Sequence, residues 1–401
     1  MHILIAGGGI AGSVAALALQ QAGIEATIFE AHPPTDTDIG SYFTIAPNGL
    51  DALAAVDTMA LATTGALPTR RNVLWDASGG RLGSTGLGAP LADGTVAQTL
   101  KRATLTRRLL DEAVRRGVRV EAGRRLVGAE RGADRRVTAR FDDGSEAVGD
   151  LLVGADGIHS VTRRLIDPSA PSGRYVGLTN FGGVTRNARL DVAPGAWHMI
   201  FGRRAFFGFQ ATPDGDAIWF VNWPRPEIAP PERAATTESA WREQLVALVQ
   251  DDRGPAAELI RAGVLELAAD NTFDLPHVPT WHRDGMVVIG DAAHAPSPTS
   301  GQGAAMAAED GVVLAMALRD HPTTDAGLAS YEAARRDRVE RIVAYGARGS
   351  SAKIPGGIGR VVRDVAMRLV FRVFVTDRST AWLYDHRVEW DRPLAAGPAR
   401  A

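Results

Sequence analysis

Residues 3–12, ILIAGGGIAG, constrain this chain more than any other stretch. A short apolar run reads as a buried strand and leads directly into Gly7-Gly8-Gly9-Ile10-Ala11-Gly12. SVAALALQQAG continues with a helical pattern ending at Gly23, and ATIFE reads as a second strand closing on Glu30. Strand, G-x-G-x-x-G, helix, strand and acid in about thirty residues form a dinucleotide-binding unit. Gly7 permits the tight turn, Gly9 lets backbone approach a pyrophosphate, and Gly12 lets the helix pack closely on the strand. The helix N-terminus, at Ile10 and Ala11, then faces the phosphates with unpaired N–H groups. Glu30 can accept hydrogen bonds from ribose hydroxyls. This unit by itself leaves NAD and FAD both open.

A dehydrogenase would complete its sheet with further β-α units, but here a proline-broken segment follows, and a helix begins near Pro47-Asn48. At 401 residues, two intimately packed domains are expected. A net charge of -2 predicts no general affinity for nucleic acid or anionic membrane. The chain has no cysteine, which excludes disulfides, thiolate nucleophiles, thiolate-bound metals and sulfur-linked cofactors. The N-terminal apolar run lacks the basic flank and unbroken core of a signal peptide, and no window is long and apolar enough to span a membrane. The expectation is a cytoplasmic protein. The nine His show no metal-ligand spacing, so no metal is expected.

Three later stretches carry more. LKRATLTRRLLDEAVRRG reads as a helix with Arg102 at its start; 151-LLVGADGIHSVTRRLI-166 runs a buried strand into an Asp156-Gly157 turn and a short helix; 290-GDAAHAPSPTSGQG-303 follows the apolar run Met286–Ile289. In this order and spacing, together with GGGIAG and Glu30, they resemble the FAD-dependent aromatic hydroxylases, single-component flavoprotein monooxygenases of the p-hydroxybenzoate hydroxylase class. The likeness covers roughly residues 1–60, 95–170 and 275–345. It is nearest to the compact branch of tetracycline-inactivating and natural-product tailoring enzymes.

The resemblance implies an α/β fold: a Rossmann-like FAD-binding domain of the glutathione reductase type with an inserted α+β substrate domain and C-terminal helices. The implied boundaries are 1–72, 95–170 and 275–345 for the FAD-binding domain, 73–94 and 171–274 for the substrate domain, and 346–401 for the C-terminal helical segment. It implies non-covalent FAD, NADPH or NADH as co-substrate, and O₂ adding at flavin C4a to give a hydroperoxide that hydroxylates or epoxidises an aromatic or polyketide-like molecule. By the same carry-over Asp156 serves FAD and NADPH binding, Asp291 holds the ribityl chain, and Arg102 contacts the ribityl–phosphate region. Gly301, Gly303 and Ala304 belong to the loop and helix start beside the pyrimidine end of the flavin. Ala305 stands where many relatives have Asn. His294 is expected to stabilise its loop; no nucleophile accompanies it for a catalytic dyad, and no catalytic base is assigned.

Between about 170 and 280, strands alternate with turns, and 237-TESAWREQLVALVQ-250 reads as a capped amphipathic helix. Substrate is expected between this sheet and the loop before the long C-terminal helix, against Thr299, Met199, Phe207, Phe209 and Trp219. Strand alternation leaves open whether Phe206 and Phe220 take that place instead. The run 355-PGGIGR-360 lacks a preceding strand and a third glycine, and is expected to be a loop. A same-fold reductase or halogenase, or a non-catalytic flavin binder, are the rival readings; the halogenase signature Trp-x-Trp-x-Ile-Pro is absent. A monomer is compatible with all of this.

Overall fold

The computed structural model describes residues 1–33, 40–351 and 377–394. Its first half-sheet follows from the apolar runs read above. β1 (His2–Ala6), α1 (Ile10–Gln21) and β2 (Glu25–Glu30) form a right-twisted β-α-β start, with β1 and β2 parallel in the register Ile5 to Ile28. Ile3, Leu4 and Ile5 are wholly buried, as expected of a parallel strand covered on both faces. α2 (Pro47–Ala54) starts on a proline, and α3 (Arg102–Arg115) has Arg102 as its first residue. β3 (Leu151–Gly154) pairs with β1 on the side opposite β2. Strands 119–122, 282–283 and 286–288 complete a six-stranded sheet.

Two long helices close the C-terminal side, α4 (Gly303–Asp320) and α5 (Thr324–Ser351). α4 crosses α1 very closely because a Cβ on Gly311 would lie 2.7 Å from the Ala15 nitrogen. It also touches α2, where a Cβ on Gly49 would meet Ala305 at 2.8 Å. Ala305 is buried at that contact.

The second large sheet has seven strands, drawn from residues 71–86 and 174–274. Its alternation gives it two faces. One carries Phe181, Phe207, Phe209, Trp219 and Val221, packed under helices Glu238–Val249 and Ala256–Ala262 around Trp241, Leu245 and Ile260. Thr237 caps the first of these helices by accepting from the Ala240 N–H. The other face turns toward the nucleotide-binding half: Val184, Trp197 and Ile218 pack with Tyr42 and Leu67, and the Trp197 indole N–H donates to Thr44 Oγ1 at 2.9 Å. Two three-stranded sheets, one from strands 42–45, 98–101 and 67–68 and the other from 126–149, flank the larger ones. Beyond residue 351 the helix Asp377–Tyr384 packs back on this frame. The run 355–360 lies outside the described residues. No helix among the described residues is long and apolar enough to cross a membrane.

Candidate flavin site

The glycine loop has the geometry its spacing predicts. Gly7 adopts φ +105°, and a Cβ there would strike Ala155 O at 2.4 Å; a Cβ on Gly12 would come within 2.0 Å of Gly7 O. Both glycines are required by the chain's own packing. Gly9 differs, because a Cβ there meets nothing within 4 Å. Its freedom from contact leaves a cradle for a group that approaches the backbone. α1 has no side-chain cap and no acid in its first turn, so the N–H groups of Ile10, Ala11 and Gly12 keep their dipole end for an anion. Glu30 accepts from Gly8 N–H at 2.6 Å and from His32 N–H at 2.9 Å. Each oxygen retains a lone pair for a ribose hydroxyl. A dinucleotide's pyrophosphate and ribose fit this donor set.

The later motifs close on the same loop. Gly290 takes φ +59°, and a Cβ on it would lie 2.8 Å from the Ala11 side chain, so the GDAAH turn rests on the first turn of α1. Asp291, in the 3₁₀ turn Gly290–Ala292, points Oδ2 toward Arg102 Nη2 at 3.8 Å. Exposed and long, that pair adds little stability. Its value is placement, with one donor and one acceptor facing each other beside the loop. Asp156 is turned inward instead. Its carboxylate accepts from the Ser160 hydroxyl, the Val161 and Thr162 N–H groups and the Thr162 hydroxyl, which pins the GADG turn to the short helix Val161–Ile166.

At the far end, the 3₁₀ turn Pro298–Ser300 and left-handed Gly301 lead into the uncapped N-terminus of α4. Gly303 and Ala304 sit half-buried on its first turn, which carries no acid. Such an end favours negative charge, as at the N1/O2 edge of a reduced flavin. Thr299 is half-buried, its hydroxyl 3.4 Å from that of Ser297. Behind the turn, α5 approaches so closely that a Cβ on Gly346 would meet Ser300 Cβ at 3.2 Å.

Beneath α4 lies a buried charge network. His294 Nε2 and Asp310 Oδ2 are 2.5 Å apart, and Asp310 also accepts from Gly290 N–H and Arg335 Nε. Glu309 pairs with Arg335 Nη1 at 2.6 Å and Arg338 Nη2 at 3.0 Å, and it accepts from Asn48 Nδ2. Asn48 Nδ2 also donates to Gln302 Oε1 at the start of α4. Burial would raise the Glu309 carboxyl, but Arg335 and Arg338 outweigh it and hold it down to about 2. Burial likewise opposes ionisation of Asp310, and His294 and Arg335 reverse that to keep it low. The expectation for His294 as a loop anchor accords with this placement. Glu309, Asp310 and Arg335 escaped the sequence reading, although an acid pair inside AAMAAEDGVVLAMAL signals buried partners.

The pocket aromatics need correction. Phe207, Phe209 and Trp219 lie on the helix-covered face, with Trp219 donating to Thr185 Oγ1 in the core. Only Met199 of the sheet residues expected at substrate faces the nucleotide-binding half, together with Phe206 and Phe220. The physical reason is register: Phe207 pairs with Val221 and Ile200, and all three point the same way into the helices.

Residues 1–345 match the family model described as "FAD binding domain". The chain belongs to the FAD-dependent aromatic-hydroxylase family of monooxygenases. It is 31% identical over 349 residues to the FAD-dependent urate hydroxylase of Klebsiella pneumoniae, covering 86% of this chain and 88% of that protein. It is 32% identical over 410 residues to the 3-amino-4-hydroxybenzoate 2-monooxygenase of Streptomyces platensis, covering 96% and 95%. The crystal structure of Klebsiella pneumoniae HpxO complexed with FAD and uric acid superposes with a TM-score of 0.80 at 27% identity, over 96% of this chain and 97% of that one. FAD binding is therefore what membership of this family gives the chain.

Proposed function

We propose that this family member is an NAD(P)H-dependent monooxygenase that inserts one oxygen atom of O₂ into an aromatic or polycyclic small molecule. One observation carries the reading. Motifs separated by more than a hundred residues converge on one loop, the GDAAH turn on Ala11 and Asp291 opposite Arg102. Bound FAD would supply the redox chemistry, taking hydride from the nicotinamide and activating O₂ at C4a. The chain's own groups would bind and orient. Gly9 and the α1 N-terminus would hold the pyrophosphate, Glu30 the adenosine ribose, and Arg102 with Asp291 the ribityl–phosphate region. Asp156 would act by holding the GADG turn. The start of α4, at Gly303 and Ala304, would stabilise negative charge at N1/O2, and Gly301 would leave space for the ring. The face of the seven-stranded sheet turned to the nucleotide-binding half, with Met199 and Phe220, would cover the flavin and keep water out, with Thr299 opposite. The urate and aminohydroxybenzoate relatives support an aromatic substrate class.

The test is purification followed by acid release of the pigment and NAD(P)H-oxidation assays with candidate aromatics. FAD, freed intact, and substrate-stimulated NAD(P)H oxidation with oxygen incorporation are expected. Recovery of FMN, or no flavin after reconstitution, overturns the reading.

A further inference from the structure

The sheet face turned to the nucleotide-binding half carries two cross-strand rows. One runs Asp270, Asn180, Asn222, Phe206 and Phe201; the next runs Leu267, Gly182, Phe220, Gly208, Met199 and Leu74. Neither contains Lys, Arg or His. In the second row the Phe220 ring lies over Gly208, where a Cβ would strike it at 2.3 Å. At Gly182 no side chain fills the row, and a Cβ there would make only ordinary contacts, with Trp219 O at 3.5 Å and Leu267 Cβ at 3.7 Å. The missing side chain leaves a flat, apolar step in the row, next to the Phe220 side chain.

The polar pair lies directly beside it. Asn180 is two residues before Gly182 on the same face, and it pairs across the sheet with Asp270. Asn222 Nδ2 donates to Asn180 Oδ1 at 2.5 Å, which fixes the orientation of the Asn180 amide. Its Nδ2 is then left as a donor with no partner among the described residues. Asp270 is an exposed residue whose carboxyl is nonetheless partly buried, which raises its pKa, while Arg233 and Arg102 pull it back at longer range; it makes no hydrogen bond or ion pair among the described residues. Arg102 is the residue opposite Asp291, so Asp270 marks the end of the row nearest the flavin site. Opposed cross-strand side chains stand about 5 Å apart, near enough to engage neighbouring atoms of one ring. A fixed N–H donor beside a carboxylate acceptor complements an adjacent C=O and N–H.

We propose that this face selects a neutral cyclic amide, with contiguous ring C=O and N–H, over a ring bearing a carboxylate. Asn180 donates to the carbonyl, and Asp270 accepts from the ring N–H and repels a carboxylate. The inference rests on the monooxygenase reading and names the substrate class of that site. A site built around hydrogen bonds rejects an analogue that leaves those groups unpaired.

The experiment titrates the FAD-loaded full chain with two neutral cyclic amides, 2-quinolone and xanthine, and with two carboxylates, quinoline-2-carboxylate and salicylate. Binding is read both by flavin absorbance and by calorimetry. The amides should bind at least about ten-fold more tightly than the carboxylates. Asn180→Leu and Asp270→Asn should each weaken amide binding by about ten-fold, and Asp270→Asn should improve quinoline-2-carboxylate. FAD content and melting are measured on each variant; where Asn180→Leu disturbs them, the exposed Asp270→Asn decides alone. Carboxylates binding as tightly as the amides, no binding by any probe, or amide affinity unmoved by Asp270→Asn overturns the inference. A chain that retains no FAD overturns the flavoenzyme reading instead, and calorimetry still reports the amide preference separately.

Discussion

Residues in one motif can carry opposite duties. Asp291 and His294 stand three positions apart, yet Asp291 faces Arg102 at the loop while His294 is buried against Asp310. Asp291→Ala is expected to weaken FAD retention, because a charge-assisted hydrogen bond worth about 1.5–3 kcal/mol is removed. Equilibrium dialysis of the flavin measures it, and unchanged retention would remove Asp291 from the site. His294→Ala should instead cost about 3–5 kcal/mol of stability, since it strips a partner from a buried carboxylate. Turnover per bound flavin should survive. Glycines divide in the same way. Gly12→Ala has nowhere to put its methyl, which would collide with Gly7 O, so folding should suffer. Gly9→Ala meets no protein atom, so the apoprotein should melt as wild type while FAD binding falls by about ten-fold or more. Calorimetric melting with and without FAD separates these outcomes.

Among the elements, the seven-stranded sheet decides most, because its two faces are both rich in aromatics. Phe207→Ala empties part of a core shared with Trp241 and Ile260, and should cost about 3–5 kcal/mol with oxygen transfer per hydride unchanged. Phe220→Ala lies on the half-buried face over Gly208. It should lower stability less and raise the share of reduced flavin that yields peroxide instead of product. Melting temperature and peroxide yield on the same two variants test the assignment; equal effects on both readouts would contradict it. The helices obey a simpler logic. Gly311 and Gly49 let α4 approach α1 and α2 at backbone distance, so its N-terminus reaches the loop that follows Asp291.

At the scale of the whole molecule, the network under α4 joins separate parts of the chain. Arg338 donates to Glu309 and also to the carbonyls of Trp382 and Leu383, so the helix Asp377–Tyr384 is tied to the buried acid on α4. Asp51 on α2 holds the same segment through the Val388 N–H. Glu309 has its carboxyl lowered from 4.5 to about 2, with burial opposing and Arg335 and Arg338 prevailing. A depressed acid stabilises the fold above its unfolded value and loses that contribution as pH falls through the folded one. The stabilisation, on the order of 3 kcal/mol, should be complete above about pH 4.5 and vanish toward pH 2. Urea unfolding across this range should therefore steepen in acid for the wild type. Glu309→Gln should flatten that dependence at the expense of stability near neutrality; an identical pH profile would place the acid sensitivity elsewhere.

The sequence alone determined what local chemistry determines. The strand, glycine turn and helix at residues 2–21, the start of α3 at Arg102 and the Thr237 cap all follow from backbone freedom and near-neighbour hydrogen bonds, and the structure has each of them. The order of the motifs was enough to identify the family. What only the tertiary structure decided was direction and partnership. Phe206 and Phe207 are equally apolar, and a two-residue period cannot say which face receives helices; that choice belongs to Glu238–Val249 and Ala256–Ala262 packing from one side. Glu309 and Asp310 could be read as an acid pair in an apolar helix, but their arginines come from the next helix, and the approach of α5 supplies them. Asp156, Asn180 and Asp270 gain their meaning in the same manner, because a side chain's neighbours across a sheet or turn are set by register, which no short stretch of sequence contains.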